Sequence, residues 1–473
     1  MKQGLRFLKS ALTLQSSESD LPQLRSWIKD RNESVEVSVE RTTFESLPQW
    51  SLDHGVGRLQ HESGRFFSVD GIRVETNWGE VGSWDQPIIN QPEIGYLGFL
   101  VREIEGVLHF LVQAKIEPGN VNAVQLSPTL QATRSNFTQV HGGRQPRYLE
   151  HFRSSDPRAR ILDQLQSEQG ARFLRKRNRN IIVEIEDEIE EHEDFKWMTL
   201  GQIKALMVED NLVNMDARTV ISGIGFGVFE EASMDLIDLL RRDRGQAESI
   251  ERSLLVSSMS REGGVFTTGE IIAFLTSQKS TYELNVDRIP LGDMRGWNIA
   301  DDEIYHDTRR FFRVIAVDVS IENREVVEWG QPMVEPAQEG LCAFVCRSIE
   351  GVMHFAVQAK LECGNHDVLE FAPTVQCITG NYRRTEQGAL PFLDEVLSAD
   401  SSRVIFDTLQ SEEGGRFYRE QNRNMLVMAA DDDPIQLPPG YIWMTLRQIG
   451  VFIRFNNYLN IQARSLLAAI NYA

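Results

Sequence analysis

The chain contains itself twice, and no other feature limits its fold as strongly. Residues 106–120 read GVLHFLVQAKIEPGN and residues 351–365 read GVMHFAVQAKLECGN, 245 positions later. The register scarcely drifts. Arg41 and Trp50 recur as Arg288 and Trp297, Trp84-x-Gln86-Pro87 as Trp329-x-Gln331-Pro332, and Pro128-Thr-x-Gln131 as Pro373-Thr-x-Gln376. Gln166-Ser-Glu returns as Gln410-Ser-Glu, Asn178-Arg-Asn180 as Asn422-Arg-Asn424, and Trp197-Met-Thr-Leu as Trp443-Met-Thr-Leu. Solenoid units run roughly 20–50 residues, whereas each copy here is long enough to bury a core of its own. The expected organisation is a first copy over 1–224, a helical connector over 225–265 and a second copy over 266–473.

Within each copy the pattern mixes helices and strands. A helix opens each (Leu21–Lys29; Glu270–Gln278), followed by period-two stretches such as Phe66–Glu75, Gly98–Glu103 and Leu108–Glu117. Next come an expected helix holding Gln-Ser-Glu, a strand (Ile181–Ile185; Met425–Ala429), an acidic loop, and a last helix led by Met-Thr-Leu. Short turns join the strands, which points to an α+β class with mixed sheets flanked by helices. Between the copies, Met234, Leu236, Ile237, Leu239, Leu240, Ile250, Leu254 and Leu255 recur at helical spacing. The acidic stretches Glu184–Asp194 and Asp431-Asp-Asp433 have no metal-ligand spacing and read as solvated loops.

A formal net charge of −20 argues against nucleic acid or an anionic membrane as partner, since both reward basic surfaces. A small anion needs only a local cluster of Arg and Lys. No run of about 18 apolar residues exists to span a bilayer. The N-terminal MKQGLRFLKSALTLQSSESD reads as an amphipathic helix and not a signal peptide, so a cytoplasmic location is expected. Cys342, Cys346, Cys363 and Cys377 replace Leu97, Val101, Pro118 and Ala132 of the first copy, which marks them as reduced thiols in apolar packing sites.

The chemistry-bearing residues lie in a few places. In Val112–Glu117 the alternation puts Gln113, Lys115 and Glu117 on one face, and Gln358, Lys360 and Glu362 repeat it. Such a stripe is either an exposed face or the wall of a cleft. Its retention between copies whose surroundings diverge keeps the cleft reading open. Gln131, Arg134 and Asn136 follow in the first copy, leading to His141-Gly-Gly, whereas the second has Gln376 and then Thr379-Gly-Asn381-Tyr-Arg-Arg384. Arg172, Arg175, Lys176, Arg177 and Arg179, mirrored by Arg416, Arg419 and Arg423, form a basic cluster suited to a diphosphate or to helix ends. Trp84 with Gln86, and Trp329 with Gln331, could stack on a base or sugar or pack in the core. No Gly-x-Gly-x-x-Gly, Walker loop, zinc spacing or Gly-x-Ser-x-Gly is present, so no bound redox cofactor or metal is expected.

HFLVQAKIEPGN, LSPTLQATRSNFTQVHGG, DQLQSEQGARFLRKRNRN and QSEEGGRFYREQNRN resemble the NDP-hexose 2,3-dehydratases of deoxysugar biosynthesis, in the right order and in both copies. The resemblance implies two fused Nudix-like domains, a homodimer and a dTDP-4-keto-6-deoxyglucose substrate whose product passes to an NADPH-dependent 3-ketoreductase. The acidic Nudix box is missing; Gln166-Ser-Glu168-Gln-Gly170, the nearest stretch, lacks its metal-binding carboxylates. The implied chemistry needs a base for the C3 proton, a donor for the C4 oxygen and an acid for the departing C2 hydroxyl. Lys115, Glu117, Lys360 and Glu362 suit those roles, and Tyr418, which replaces Leu174, is a proton donor unique to the second copy. A Nudix-type nucleotide-sugar hydrolase and a non-catalytic sugar-nucleotide binder are the alternatives from other classes. A pocket that draws on both copies is expected, since neither holds the full set of distinctive polar groups.

Overall fold

The computed structural model describes residues 3–53, 57–133, 145–225, 249–259, 263–324, 326–378, 390–430 and 436–471. Each copy builds a seven-stranded mixed sheet. In the first, Arg160–Ser167, Arg177–Glu184, Gly95–Ile104, Val107–Ile116 and Phe195–Thr199 lie in that spatial order, with Val124–Ser127 and Leu130–Ala132 added alongside. The pair Arg177–Glu184 and Gly95–Ile104 is parallel and its neighbours are antiparallel. The second copy repeats the order with Val404–Ser411, Gln421–Met428, Gly340–Ile349, Val352–Lys360 and Tyr441–Thr445. The α+β class with mixed sheets is what the strand and turn pattern led one to expect.

The remaining strands form two five-stranded antiparallel sheets, and here the copies exchange material. Val37–Thr42 of the first copy pairs with Arg313–Ile321 of the second, placing Arg41 opposite Val317. Reciprocally, Leu284–Ile289 of the second pairs with Ser68–Thr76 of the first, placing Arg288 opposite Ile72. Each half therefore finishes its partner's sheet. Strand edges left unpaired by removing either arm would expose a row of backbone donors and acceptors.

Capping chemistry fixes the helices. Asp20 with Gln23 and Thr267 with Glu270 form capping boxes on Leu21–Glu33 and Thr268–Thr281. Thr199 with Gln202 and Thr445 with Gln448 do the same for Leu200–Leu206 and Leu446–Phe452. The amphipathic N-terminal helix is Gln3–Ala11, which buries Phe7 and Leu8 in the first core. Of the connector, Ile250–Met259 is helical and packs on the second sheet, where Ser257 Oγ donates to the Met353 carbonyl. Residues 226–248 and 260–262 of that expected helix, and Asp431–Asp433, lie outside the described residues.

One element differs from expectation. Gln166-Ser and Gln410-Ser are not helical but end the strands Arg160–Ser167 and Val404–Ser411. Their polar side chains are buried because the opposite copy supplies partners: Gln166 Nε2 donates to the Ile453 carbonyl, and Gln410 Nε2 to that of Met207 at 2.8 Å. Polar residues satisfied across an interface carry no helical or strand signature of their own. Cys342, Cys346 and Cys363 are buried free thiols and Cys377 is half-buried, as the apolar sister positions implied.

The halves also interlock through two glycine loops. Gly119 N donates to the Gly414 carbonyl at 2.8 Å, and Gly364 N to the Gly170 carbonyl at 2.6 Å. A Cβ on Gly119 would stand 1.7 Å from the Phe417 carbonyl oxygen, and one on Gly364 1.9 Å from that of Phe173. No side chain fits either crossing. Phe173 and Phe417 meet edge to face between them, 5.7 Å apart.

Candidate active site

Where the two halves close on each other, a cavity of about 900 Å³ opens, within the usual range for small-molecule sites. One wall is the first copy's mixed sheet, presenting Lys115, Glu117 and Gln131, with Glu168, Lys176 and Asn178 beside them. Asp216 enters from the second position of helix Met215–Ser222. The facing wall belongs to the second copy, through Asp318, Trp329, Gly330, Gln331, Glu413 and Arg416. Trp50, His61, Phe66 and Phe67 add an aromatic lining.

Hydrogen bonds hold these groups in place. Lys115 Nζ donates to the Gln131 carbonyl at 3.1 Å, and Gln131 Nε2 donates to Glu117 at 2.9 Å. Gln131 is itself held at its amide oxygen by Ser127 Oγ (2.9 Å) and by Asn214 Nδ2 (3.1 Å). Asn214 is also the N-cap of the helix that delivers Asp216, so one residue sets both. Asn178 Nδ2 donates to Glu168 Oε1 at 2.6 Å, while Lys176 Nζ reaches the Glu93 carbonyl. The Arg416 guanidinium lies over the Phe67 ring, 4.2 Å from its centre. Asp216 Oδ1, Glu168 Oε2, Glu413 Oε2 and Arg416 Nε are buried with no hydrogen-bond partner among the described residues. Orphaned buried polar atoms around a cavity suit a polar guest; in the second set Arg172 Nε, Glu362 Oε2, Glu420 Oε2 and Gln462 Oε1 are orphaned as well.

The electrostatics follow from crowding. Burial, and then the nearby Glu168, Glu413 and Glu117, push the Asp216 carboxyl well above the usual range, against the pull of Lys115. Burial and then Glu117 push Glu413 up to about 8. Glu168 is also raised by burial, with Lys176 and Arg464 opposing. Lys176 is lowered by its own burial, against Glu168. Glu413 is therefore neutral at pH 7 and able to donate, and Asp216 and Glu168 are pushed in the same direction. Carboxyls raised in this way suit general acid–base chemistry.

The pseudo-symmetric set has the same frame and different charges. Lys360 Nζ donates to the Gln376 carbonyl at 3.2 Å, and Gln376 Nε2 to Glu362 at 2.8 Å. Trp84, Gln86 and Arg172 of the first copy serve this second set, as Trp329, Gln331 and Arg416 serve the first. Gln86 Nε2 donates to the Ala171 carbonyl at 3.0 Å, and Gln331 Nε2 to that of Gly415 at 2.7 Å. Several ionisable groups change, however: Asp216 becomes Gln462, Lys176 becomes Glu420, Asp318 becomes Arg73, and Glu413 becomes Gln169, which donates to Glu412. Beside this second set Asp85 stands where the open cavity has Gly330. Its carboxylate is held by Arg73 (2.9 Å) and Arg295 (2.9 Å), while Trp297 Nε1 donates to its carbonyl.

The structure thus brings Lys115, Glu117, Gln131, Trp329, Gln331 and Arg416 to one cavity, while Lys360, Glu362, Gln376, Trp84, Gln86 and Arg172 hold the matched positions of the second set. Three expected residues lie elsewhere. Arg179 and Arg423 are ion-paired with Asp163 (2.6 Å) and Asp407 (2.5 Å) on the neighbouring strand and do not line the cavity. The half-buried Tyr418 packs against the large hydrophobic core, with Arg419 over its ring. Arg134, Asn136, His141 and Thr379–Arg384 lie outside the described residues. Glu168, Asp216, Glu413 and the aromatic lining were not anticipated, whereas Lys176 belongs to the basic cluster read from the sequence. The available signal was difference between copies, a charged residue facing a neutral or opposite one at a matched position.

A cavity of this kind, with opposed carboxyls and cations closed by both halves of a duplicated α+β chain, belongs to an enzyme working by acid–base chemistry on a polar small molecule. The chain belongs to the NDP-hexose 2,3-dehydratase family, whose model matches residues 21–224 and again 268–470. It is similar to a dTDP-4-dehydro-6-deoxy-alpha-D-glucopyranose 2,3-dehydratase of Saccharopolyspora spinosa, with 44% identity over 98% of this chain and 94% of that one. Proteins of the same name from Amycolatopsis orientalis (41% identical, over 99% of this chain and 94% of that one) and Streptomyces violaceoruber (42%, over 96% and 97%) are also similar.

Proposed function

We propose that this chain removes the C2 hydroxyl of dTDP-4-keto-6-deoxyglucose as water, and that the reaction runs in the Lys115 cavity. The observation that carries the choice of site is the concentration of Asp216, Lys176 and Glu413 around the Lys115–Glu117 pair, with their counterparts neutral or reversed. Lys115 holds the C4 oxygen as it becomes an enolate, after Glu117 takes the C3 proton that the ketone acidifies. Collapse of the enolate forms the C2–C3 double bond and expels the C2 hydroxyl. Asp216, its carboxyl raised by burial and the neighbouring glutamates, gives that hydroxyl its proton, so that water leaves. The resulting enol tautomerises to the 3,4-diketo-2,6-dideoxy sugar, C2 gaining a proton as the C3 hydroxyl loses one. No electrons leave the substrate, so the step needs no redox partner.

Arg416 meets the diphosphate, the aromatic lining takes the thymine face, and Glu168 with Lys176 binds sugar hydroxyls. The product is a reactive diketone, which supports a 3-ketoreductase using NADPH as the next enzyme. A homodimer is proposed for the assembly, and light scattering of the pure protein measures it. Incubation with dTDP-4-keto-6-deoxyglucose, the ketoreductase and NADPH should yield a 2-deoxy product, and its absence would reject the assignment.

A further inference from the structure

Glu168 owes its place in the cavity to a residue that never reaches it. Arg464, from helix Ile461–Ala469 of the second copy, is 1% exposed. Its Nη2 donates to the Ser167 carbonyl, and its Nη1 to Ser167 Oγ at 3.5 Å and to the Leu459 carbonyl. Its Nε donates to Thr219 Oγ1 at 2.8 Å. Ser167 immediately precedes Glu168, and Thr219 is on the helix that carries Asp216. One guanidinium thus grips both acidic elements of the opposite copy. Only a planar fork of fixed donors can do so; a lysine offers a point charge. Arg218 makes the reciprocal grip on Ser411 and Gln410, at 2.6 and 2.7 Å.

The serine partners behind the two arginines differ. Ser167 Oγ also donates to the buried Glu370 at 2.8 Å, whereas Ser411 Oγ donates to Gln125 at 2.9 Å. Through its serine Arg464 is thus linked to a carboxyl and Arg218 to an amide, while Glu412 and Asp216 act on Arg218 as Glu168 and Glu370 act on Arg464.

We propose that Arg464 is a positioning residue for the dehydration, locking Glu168 and Asp216 in register across the copy interface, with Glu370 as the counterweight to its charge. This rests on the reading of the Lys115 cavity as the active one. The groups facing Glu168 are Lys176 and Asn178 from its own sheet, Asp216 from the adjoining helix, Glu413 from the opposite loop and Arg464 from behind. Lys176 and Arg464 favour its ionised form, and Asp216 and Glu413 oppose it. Glu370, pushed up to about 7 by burial, is drawn down by Ser167 and Arg464.

The experiment compares R464M, R464K, E370Q and E168Q by kcat, KM and the pH profile of kcat/KM, which reports groups of the free enzyme. R464M should lower kcat about 10²-fold, the scale of a misplaced catalytic group, and shift the acid limb to higher pH. R464K should restore the limb but only part of kcat, because charge returns without the fork. E370Q, isosteric with the Gln125 of the sister copy, should shift the acid limb the opposite way, and it decides the matter should R464M fail to fold. E168Q should be severely impaired. If E168Q is impaired but E370Q and R464K leave both the limb and kcat unmoved, the role of Arg464 is overturned and the cavity stands. If E168Q retains full activity, the cavity assignment itself falls.

Discussion

At the scale of single residues, the duplication turns each role into a paired comparison. Lys115→Met removes a charge at nearly constant length and should cost about 10²-fold or more in turnover, the scale of losing an oxyanion donor. Lys360→Met, at the matched position beside Gln462 and Glu420, should change turnover little. Steady-state rates of the two variants make the test, and equal losses would contradict the one-cavity reading. Glu413 gives a second comparison with a sign. Held up to about 8 by burial and Glu117, it is neutral at pH 7 and ionises as pH rises, adding a negative charge where the substrate must become anionic. Turnover should therefore fall through about pH 8. Glu413→Gln, which stays neutral, should extend activity to higher pH, as read from kcat across pH 6–10. Lys115 and Glu117 were legible in the sequence because a polar stripe kept through divergence stands out. Asp216 was not, because it sits at a helix start where an acidic residue is ordinary, and only its orphaned oxygen and the surrounding carboxyls give it meaning. Arg179 and Arg423 misled because their partners, Asp163 and Asp407, stand on an adjacent strand whose pairing composition does not reveal.

At the scale of elements, capped helices and alternating strands were readable because local chemistry determines them. Thr267 with Glu270, or Val112 to Glu117, declares itself within a few residues. The strands ending in Gln-Ser were misread because their polar side chains are paid for by the opposite copy. The same interface creates a buried cation. Lys204, in helix Leu200–Leu206, is fully enclosed and donates to the Ala468 and Ile470 carbonyls at 2.7 and 2.6 Å, tying the end of the last helix to the first copy. Burial lowers its ammonium to about 7, against about 10.4 in an unfolded chain. Between those values the unfolded state binds more protons, so folding stability rises with pH across that window, by at most about 1.4 kcal/mol per unit. Below about pH 7 the two states carry the same charge at this position and the slope vanishes. Lys204→Met should abolish this contribution. Urea unfolding of wild type and variant at pH 6.5, 8 and 9.5 should show their stability difference moving in favour of wild type at each step.

At the scale of the whole molecule, the duplication was plain in the sequence, but a repeat reads equally as two beads or as one interlocked body. The exchanged strands Val37–Thr42 and Leu284–Ile289 and the glycine crossings at Gly119 and Gly364 favour the second. Each half supplies a strand, a Trp-x-Gln motif and an arginine to the other, so neither half alone completes its five-stranded sheet or its pocket. Residues 1–224 and 249–473 expressed separately should accordingly be aggregation-prone and inactive, each exposing the strand edge its partner covers. Co-expressed, they should recover dehydratase activity and elute together, since the exchanged arms and crossings need no covalent link between the copies. Loop closure by the connector adds only an entropic contribution that grows slowly with its length, so cutting it should weaken assembly without abolishing it. Size-exclusion chromatography with the coupled ketoreductase assay measures both outcomes. A second half that was folded and fully active alone would mean that the first-copy residues Lys115, Glu117 and Asp216 are dispensable, and the shared cavity would not be the site of dehydration.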